Sequence, residues 1–451
     1  MSWGDFRGSV LGPTDPSTAP ADSIRGLILA QWEALGLKSE PNTGDNGVHA
    51  SASPFEGLAE RMNWLGVDPE EDSFGVALTA AGVSKPTILS WSKDPQVSYT
   101  CEGETITTSL FDSLEDMDMT PCLEKAAMMA ANLVMNAAFV FVKPHAVTEA
   151  VKDLVKQKLG EKGIAILGEG SLTGPEIDEK QLIDNHYYAI ASKATLLKPD
   201  QLPVPADRFE EKFGVSWQSV LDEGKAYNAM DACEYLGVDA AGLDGIWGAC
   251  KKAGKMIKFG GGFYCGLIDE VEGKEPIYAF NGFFMQMRSK FVAPEASIYY
   301  FSVEWDESAL SWGDFRGSVL GPTDPSTAPA DSIRGLILAQ WEALGLKSEP
   351  NTGDNGVHAS ASPFEGLAER MNWLGVDPEE DSFGVALTAA GVSKPTILSW
   401  SKDPQVSYTC EGETITTSLF DSLEDMDMTP CLEKAAMMAA NLVMNAAFVF
   451  V

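Results

Sequence analysis

Cations are scarce in this chain: 32 Lys and Arg stand against 66 Asp and Glu, for a formal net charge of -34. Such a surface repels a nucleic-acid backbone or an anionic bilayer, so neither nucleic acid nor a membrane is expected as partner. A small phosphate ligand is still compatible, because it needs only a local cationic pocket. Cysteine is sparse too: Cys101, Cys122, Cys233, Cys250 and Cys265, with Cys410 and Cys431 as repeats. No two of them form a CxxC pair, and five per unit is an odd number; no metal-ligating residues are expected in the chain. Unpaired thiols read as reduced, in an intracellular compartment such as the cytoplasm. The opening MSWGDFRG has no apolar signal core. The one candidate membrane span, 126–142, contains two Asn and is marginal in length; its Ala/Met-rich half reads as a buried helix and AFVFV as a buried strand. Histidine is limited to His49, His145, His186 and His358.

Against these shortages stands a duplication. Residues 2–142 recur word for word as 311–451, so the chain is about one and a half copies of one unit. The period is far too long for a solenoid and is that of whole domains. The pattern suggests four segments: half a domain at 2–65, a strand-rich linker module at 66–137, a complete domain at 138–374 with a helical insertion at 189–281, and a second linker module with an unpaired first strand at 375–451. In the linker, FGVALTAAGV, PTILSW, QVSYTC and ETITTSLF carry strand signals between Gly, Pro and Asp. After AFVFV, Val147, Val151, Leu154, Val155 and Leu159 share one face of a helix. GIAILGEGSLT and, far downstream, SIYYFSVEW read as further strands. KFGGGF at 258–263 reads as a turn or bulge and the acidic DSLEDMDM at 112–119 as a solvated loop.

Several motifs then line up as one site. AFVFVKPHAV sets Lys143 at the mouth of a strand, and LTGPEIDEKQLIDNHYY ends in His-Tyr. NGFFMQM and SIYYFSVEW follow, then FRGSVLGPTDPSTAPADSIRG and GDNGVHASASPFEGLAERMNW in the second copy. In content and order these resemble the nucleoside diphosphate kinase family. The resemblance covers 138–188 and 282–374, under half of the chain. It implies an α/β (α+β) ferredoxin-like sandwich with a four-stranded antiparallel sheet, and a phosphotransferase whose partners are nucleoside di- and triphosphates carrying Mg²⁺.

By motif match, the resemblance makes His358 the phosphocarrier, oriented by Ser360 and Glu369, with Lys143 and Tyr187 flanking the γ-phosphate. Arg316, Thr323 and Arg334 would hold the phosphates, Asn355 would contact the sugar and Phe283 would stack on the base. The first copy repeats His49, Arg7, Thr14, Arg25 and Asn46 without a Lys-Pro strand before them, which makes an incomplete site. The sequence departs from the family pattern in Lys-Pro-His-Ala, in Ala-Ser-Ala-Ser after His358, and in a longer segment between Arg334 and His358. The alternative reading is a catalytically inactive scaffold that uses the fold for head-to-tail self-association into an oligomer or filament.

Overall fold

The computed structural model describes residues 1–101, 104–131, 133–410 and 412–442; the expected strand at the very end of the chain lies outside them. The described chain falls into two compact units, one holding Met1–Met135 with Leu159–Leu167 and Glu304–Leu310, the other the remainder.

In the first unit the linker holds more helix than strand. FGVALTAAGV and PTILSW, expected as strands, are the helices Ser73–Ala80 and Lys85–Trp91. Capping outweighs the β-branched content: the Asp72 carboxylate accepts from the amides of Phe74 and Gly75, and the Ser84 hydroxyl from that of Thr87. Gly75 looks like a helix breaker in the sequence. A Cβ there would stand 2.0 Å from the Pro69 carbonyl oxygen, so close packing requires its absence. QVSYTC and ETITTS do pair, as antiparallel β1 (Gln96–Cys101) and β2 (Glu104–Ser109). These elements enclose Phe55, Leu78, Trp91, Leu110, Cys122 and Met129. The second copy builds the same module around Phe364, Leu387, Trp400, Leu419, Cys431 and Met438.

The second unit is built on β3 (Met135–Val142), buried over nearly its whole length. The helix Glu149–Glu161 follows, with Val151, Val155 and Leu159 buried at helical spacing; then comes β4 (Ala165–Thr173). The insertion is more than helices. It contains β5 (Ala226–Asn228), β6 (Met256–Gly260), β7 (Phe263–Ile268) and β8 (Ile277–Phe280), in the order β5-β8-β7-β6. The glycine run forms the β6–β7 turn, with a register shift between Lys258 and Gly260. Apolar residues on both faces of β7 and β8 hid this sheet in a sequence dominated by the neighbouring amphipathic helices.

The chain returns as β9 (Ser297–Asp306) and, within the second copy, β10 (Val357–Ala359). The main sheet runs β10-β3-β9-β4. Along the chain that is fourth, first, third, second, the order of a ferredoxin-like α+β sandwich. β10 pairs antiparallel with β3, setting His358 opposite Phe141. In the first copy the identical Val48–Ala50 is not a strand. An edge segment needs a neighbouring strand to satisfy its amides and carbonyls, and Val357–Ala359 finds one in β3.

The helix Pro363–Glu369 crosses β3 closely: a Cβ on Gly366 would stand 2.7 Å from the Ala137 carbonyl oxygen. At the twin position, Gly57, the nearest atom is the mobile Nη1 of Arg61 at 3.1 Å. The same substitution should therefore act with opposite signs. Gly366→Ala is expected to destabilise by ~1–3 kcal/mol through backbone displacement, and Gly57→Ala to stabilise by ~0.5 kcal/mol through helix propensity. Urea unfolding of both variants checks this.

Candidate functional site

β10 delivers His358 beside the helix that carries Glu369. Its Nε2 lies 2.5 Å from Oε1 of Glu369. Ser360 donates its hydroxyl to Oε2 of the same carboxylate at 2.5 Å and accepts from the Phe139 amide at 2.8 Å, tying the acid to β3. The imidazole stacks on Phe141, with centroids 4.7 Å apart, and meets His186 edge-on at 4.8 Å. Its Nδ1 makes no hydrogen bond among the described residues.

Electrostatics fix the protonation. Burial, with Lys143, Arg334 and Arg316 nearby, holds His358 well below the ordinary imidazole value, so its ring is neutral. Burial pushes Glu369 up to about 7, against the opposing pull of His186, Ser360 and Arg370. Burial and the neighbouring Glu369 raise Glu365 well above the carboxylate range. A carboxyl with a raised folded value stabilises the protein fully below its unfolded value and loses that contribution as pH rises through the folded one. For Glu369 that window runs from its ordinary 4.5 to about 7. Wild type should therefore lose on the order of 3 kcal/mol relative to Glu369→Gln between the acid and alkaline ends of the window. Chemical denaturation of both proteins across pH 4.5–8 measures it.

Lys143 stands where β3 ends. Its Nζ donates to the Gly353 carbonyl at 3.3 Å. Burial and the nearby Arg334 lower it to about 8 despite the Asp354 carboxylate. It lines a cavity of about 630 Å³ together with Tyr187, Phe283, Lys290, Asp354 and His145. Lys290 is paired with Asp354 at 2.8 Å, and His145 accepts from the Gly356 amide at 3.1 Å. Burial pushes the Tyr187 hydroxyl up to about 12. Phe283 is presented by Asn281, which adopts a left-handed φ of 49° and bonds the carbonyls of Ile190 and Gly262 and the amide of Tyr264. Asp244 and Glu295 add carboxylates to the cavity wall.

The remaining motif residues have other partners. Arg316 donates to Glu424 and Asp425 at 2.8 and 2.6 Å. These acids belong to the second copy of the acidic run expected as a solvated loop, and Asp427 of the same run accepts from the Trp312 amide and from Asn136 on β3. Arg334 donates to the carbonyls of Gly321 and Val357, bracing the residue before His358, while its Nε is buried without a partner. Asn355 donates to the Thr323 carbonyl at 2.9 Å, its own Oδ1 is buried and unpartnered, and Thr323 is exposed. His358, Glu369 and Ser360 are thus in direct contact; Lys143, Tyr187 and Phe283 share the large cavity; the arginines reach His358 through space only.

The first copy is the internal comparison. His49 contacts Glu60 and Ser51 contacts Glu60, as in the second copy. Arg7 pairs with Glu115 and Asp116, Arg25 bonds Gly12 and Val48, and Asn46 bonds Thr14. The histidine differs: the His49 side chain is 71% exposed and that of His358 17%. Sequence reasoning gave no role to His186, which was visible as the His of NHYY, nor to Glu365, which is one helical turn from Glu369.

Cys122, Cys233, Cys250, Cys265, Cys410 and Cys431 are free, and no helix among the described residues is long and apolar enough to cross a membrane. No protein-family model and no curated protein matches the chain. Among solved structures, the chain is similar to the apo nucleoside diphosphate kinase of Encephalitozoon cuniculi in its cubic form, at 14% identity and a TM-score of 0.27, over 54% of this chain and 90% of that one.

Proposed function

We propose that the chain transfers a phosphoryl group from a nucleoside triphosphate to a nucleoside diphosphate through phospho-His358. The observation that carries this reading is a neutral imidazole held through Nε2 by Glu369, with Nδ1 left without a partner and three cations close enough to depress its basicity. In this reading the Nδ1 lone pair forms the nitrogen–phosphorus bond as the bond from γ-phosphorus to the bridging oxygen breaks. The diphosphate leaves, and a terminal oxygen of the acceptor nucleotide then takes the phosphoryl group. Glu369 stabilises the ring as it becomes cationic, in the manner of a carboxylate orienting a histidine. Lys143 and Tyr187 face the transferring phosphate from the cavity, and Phe283 offers a stacking surface for the base. Mg²⁺, arriving on the nucleotide, would neutralise phosphate charge; Asp244 and Glu295 are oxygen donors of the kind it accepts through water.

The test is incubation with γ-labelled ATP and Mg²⁺. An acid-labile, base-stable phosphoprotein whose label moves to GDP is the expected result. A folded protein that takes up no label would overturn the proposal. The second reading, self-association, is favoured by one observation: the first copy holds its half of the site folded and open, with His49 at the surface. A strictly monomeric species in light scattering at micromolar concentration would exclude it.

A further inference from the structure

His186 has no part in the reaction proposed above, yet it is buried at its centre. Its Nδ1 lies 3.4 Å from Oε1 of Glu369 and accepts from the Trp373 indole N–H at 3.3 Å. One ligating atom from each of His186, His358 and Glu369 lies within 4.8 Å of the other two. The three come from separate elements: the helix Leu182–His186, β10, and the helix Pro363–Glu369. A second cavity, of about 240 Å³, opens onto His186 and Glu369, with Glu365, Asn185 and Lys402 also on its wall.

We propose that His186, His358 and Glu369 form a binding site for a divalent transition ion of the zinc class, with a water from the smaller cavity completing its shell. Two imidazoles and one carboxylate make up a donor set that Zn²⁺ takes where a coordination position is left open. Mg²⁺ and Ca²⁺ prefer all-oxygen sets and are excluded by the two nitrogens. Ligands about 2 Å from a tetrahedral ion stand roughly 3.3 Å apart. The separation of His186 from Glu369, 3.4 Å, already fits. The 2.5 Å contact of His358 with Glu369 must open by roughly 1 Å. The ion also takes the His186 lone pair from Trp373, whose hydrogen bond at 3.3 Å is a long one. Because the ion uses Nε2 of His358, the site does not depend on Nδ1 carrying phosphate.

The first copy also gathers His49, Glu56 and Glu60 within 4.8 Å, a poorer set with one nitrogen. The test therefore uses the full chain carrying His49→Gln, titrated with Co²⁺ as a coloured stand-in and then with Zn²⁺. One Co²⁺ per chain, displaced by Zn²⁺, is expected, with affinity falling at least ~10-fold when His186→Gln is added. X-ray absorption at the zinc edge of the His49→Gln protein needs no further variant and should show two imidazoles and oxygen ligands. No binding, a shell with fewer than two imidazoles, or unchanged affinity in the His186→Gln protein would each overturn the site. Phosphate labelling, read without added Zn²⁺, is a separate measurement, so either proposal can fail while the other stands.

Discussion

Replacing His358 with glutamine removes the phosphate label, by a factor on the order of 10³ or more, as loss of a covalent nucleophile does; replacing His49 removes none. Residues 2–142 and 311–451 are identical, so the pair isolates environment from sequence. Both histidines contact a glutamate eleven residues on. Only His358 lies in a strand, opposite Phe141 and next to Lys143, with its ring stacked and largely buried. The His49 side chain is 71% exposed to water, where charge on a transferring phosphate is stabilised less than in a buried, preorganised site. Peptide mapping of the labelled wild type, with acid kept out of the work-up, shows which histidine carries the group. Label on His49 would mean that the buried surroundings of His358 are structural only.

The second large effect is on stability. Arg370→Ala is expected to destabilise the second copy by ~3–5 kcal/mol, because it leaves a buried carboxylate unpaired. The guanidinium holds Asp381 with two bonds, at 2.7 and 3.0 Å, and spends a third on the Ala137 carbonyl of β3. Both partners are at least 94% shielded, with 6% and 5% of their side-chain surface exposed. Arg61 makes the same two bonds to Asp72, but its side chain is 41% exposed. Water can replace it, so Arg61→Ala should cost roughly 1–2 kcal/mol. Hydrogen exchange compares the two directly, at the amides of Ser382–Ala389 and Ser73–Ala80. Equal losses of protection would show that the contact with β3 adds nothing.

What the sequence made legible was whatever local pattern or motif order decides. The helix Glu149–Glu161 followed from its apolar spacing, β3 and β9 from their β-branched and aromatic runs, and the grouping of His358, Ser360 and Glu369 from motif order. Pattern failed where packing or capping decides. Asp72 and Ser84 cap two helices whose composition argues for strands, and Gly75 is present because a carbonyl presses against it. The sheet within the insertion was obscured by adjacent helices. Arg316 has the type and place of a phosphate ligand, but its acidic partners lie over a hundred residues away in a run that looks like solvated loop. Nor could spacing have brought His186 against His358, since the insertion and about a third of the second copy separate them.

The pairing of β3 with Val357–Ala359 has a consequence for how the chain reaches its fold. A ribosome releases Val48–Ala50 before β3 and Val357–Ala359 long after it, so the first-copy edge is present before the second-copy edge has been made. It is also nearer, at roughly two-fifths of the separation, which favours its closure by about 0.8 kcal/mol. Gly57, Glu60 and Arg61 could repeat every contact that Gly366, Glu369 and Arg370 make. The molecule therefore encodes a domain and that domain's circular permutant in one polypeptide, both able to compete for β3, and the native pairing of β3 is the permutation in which β9 leads into the second copy.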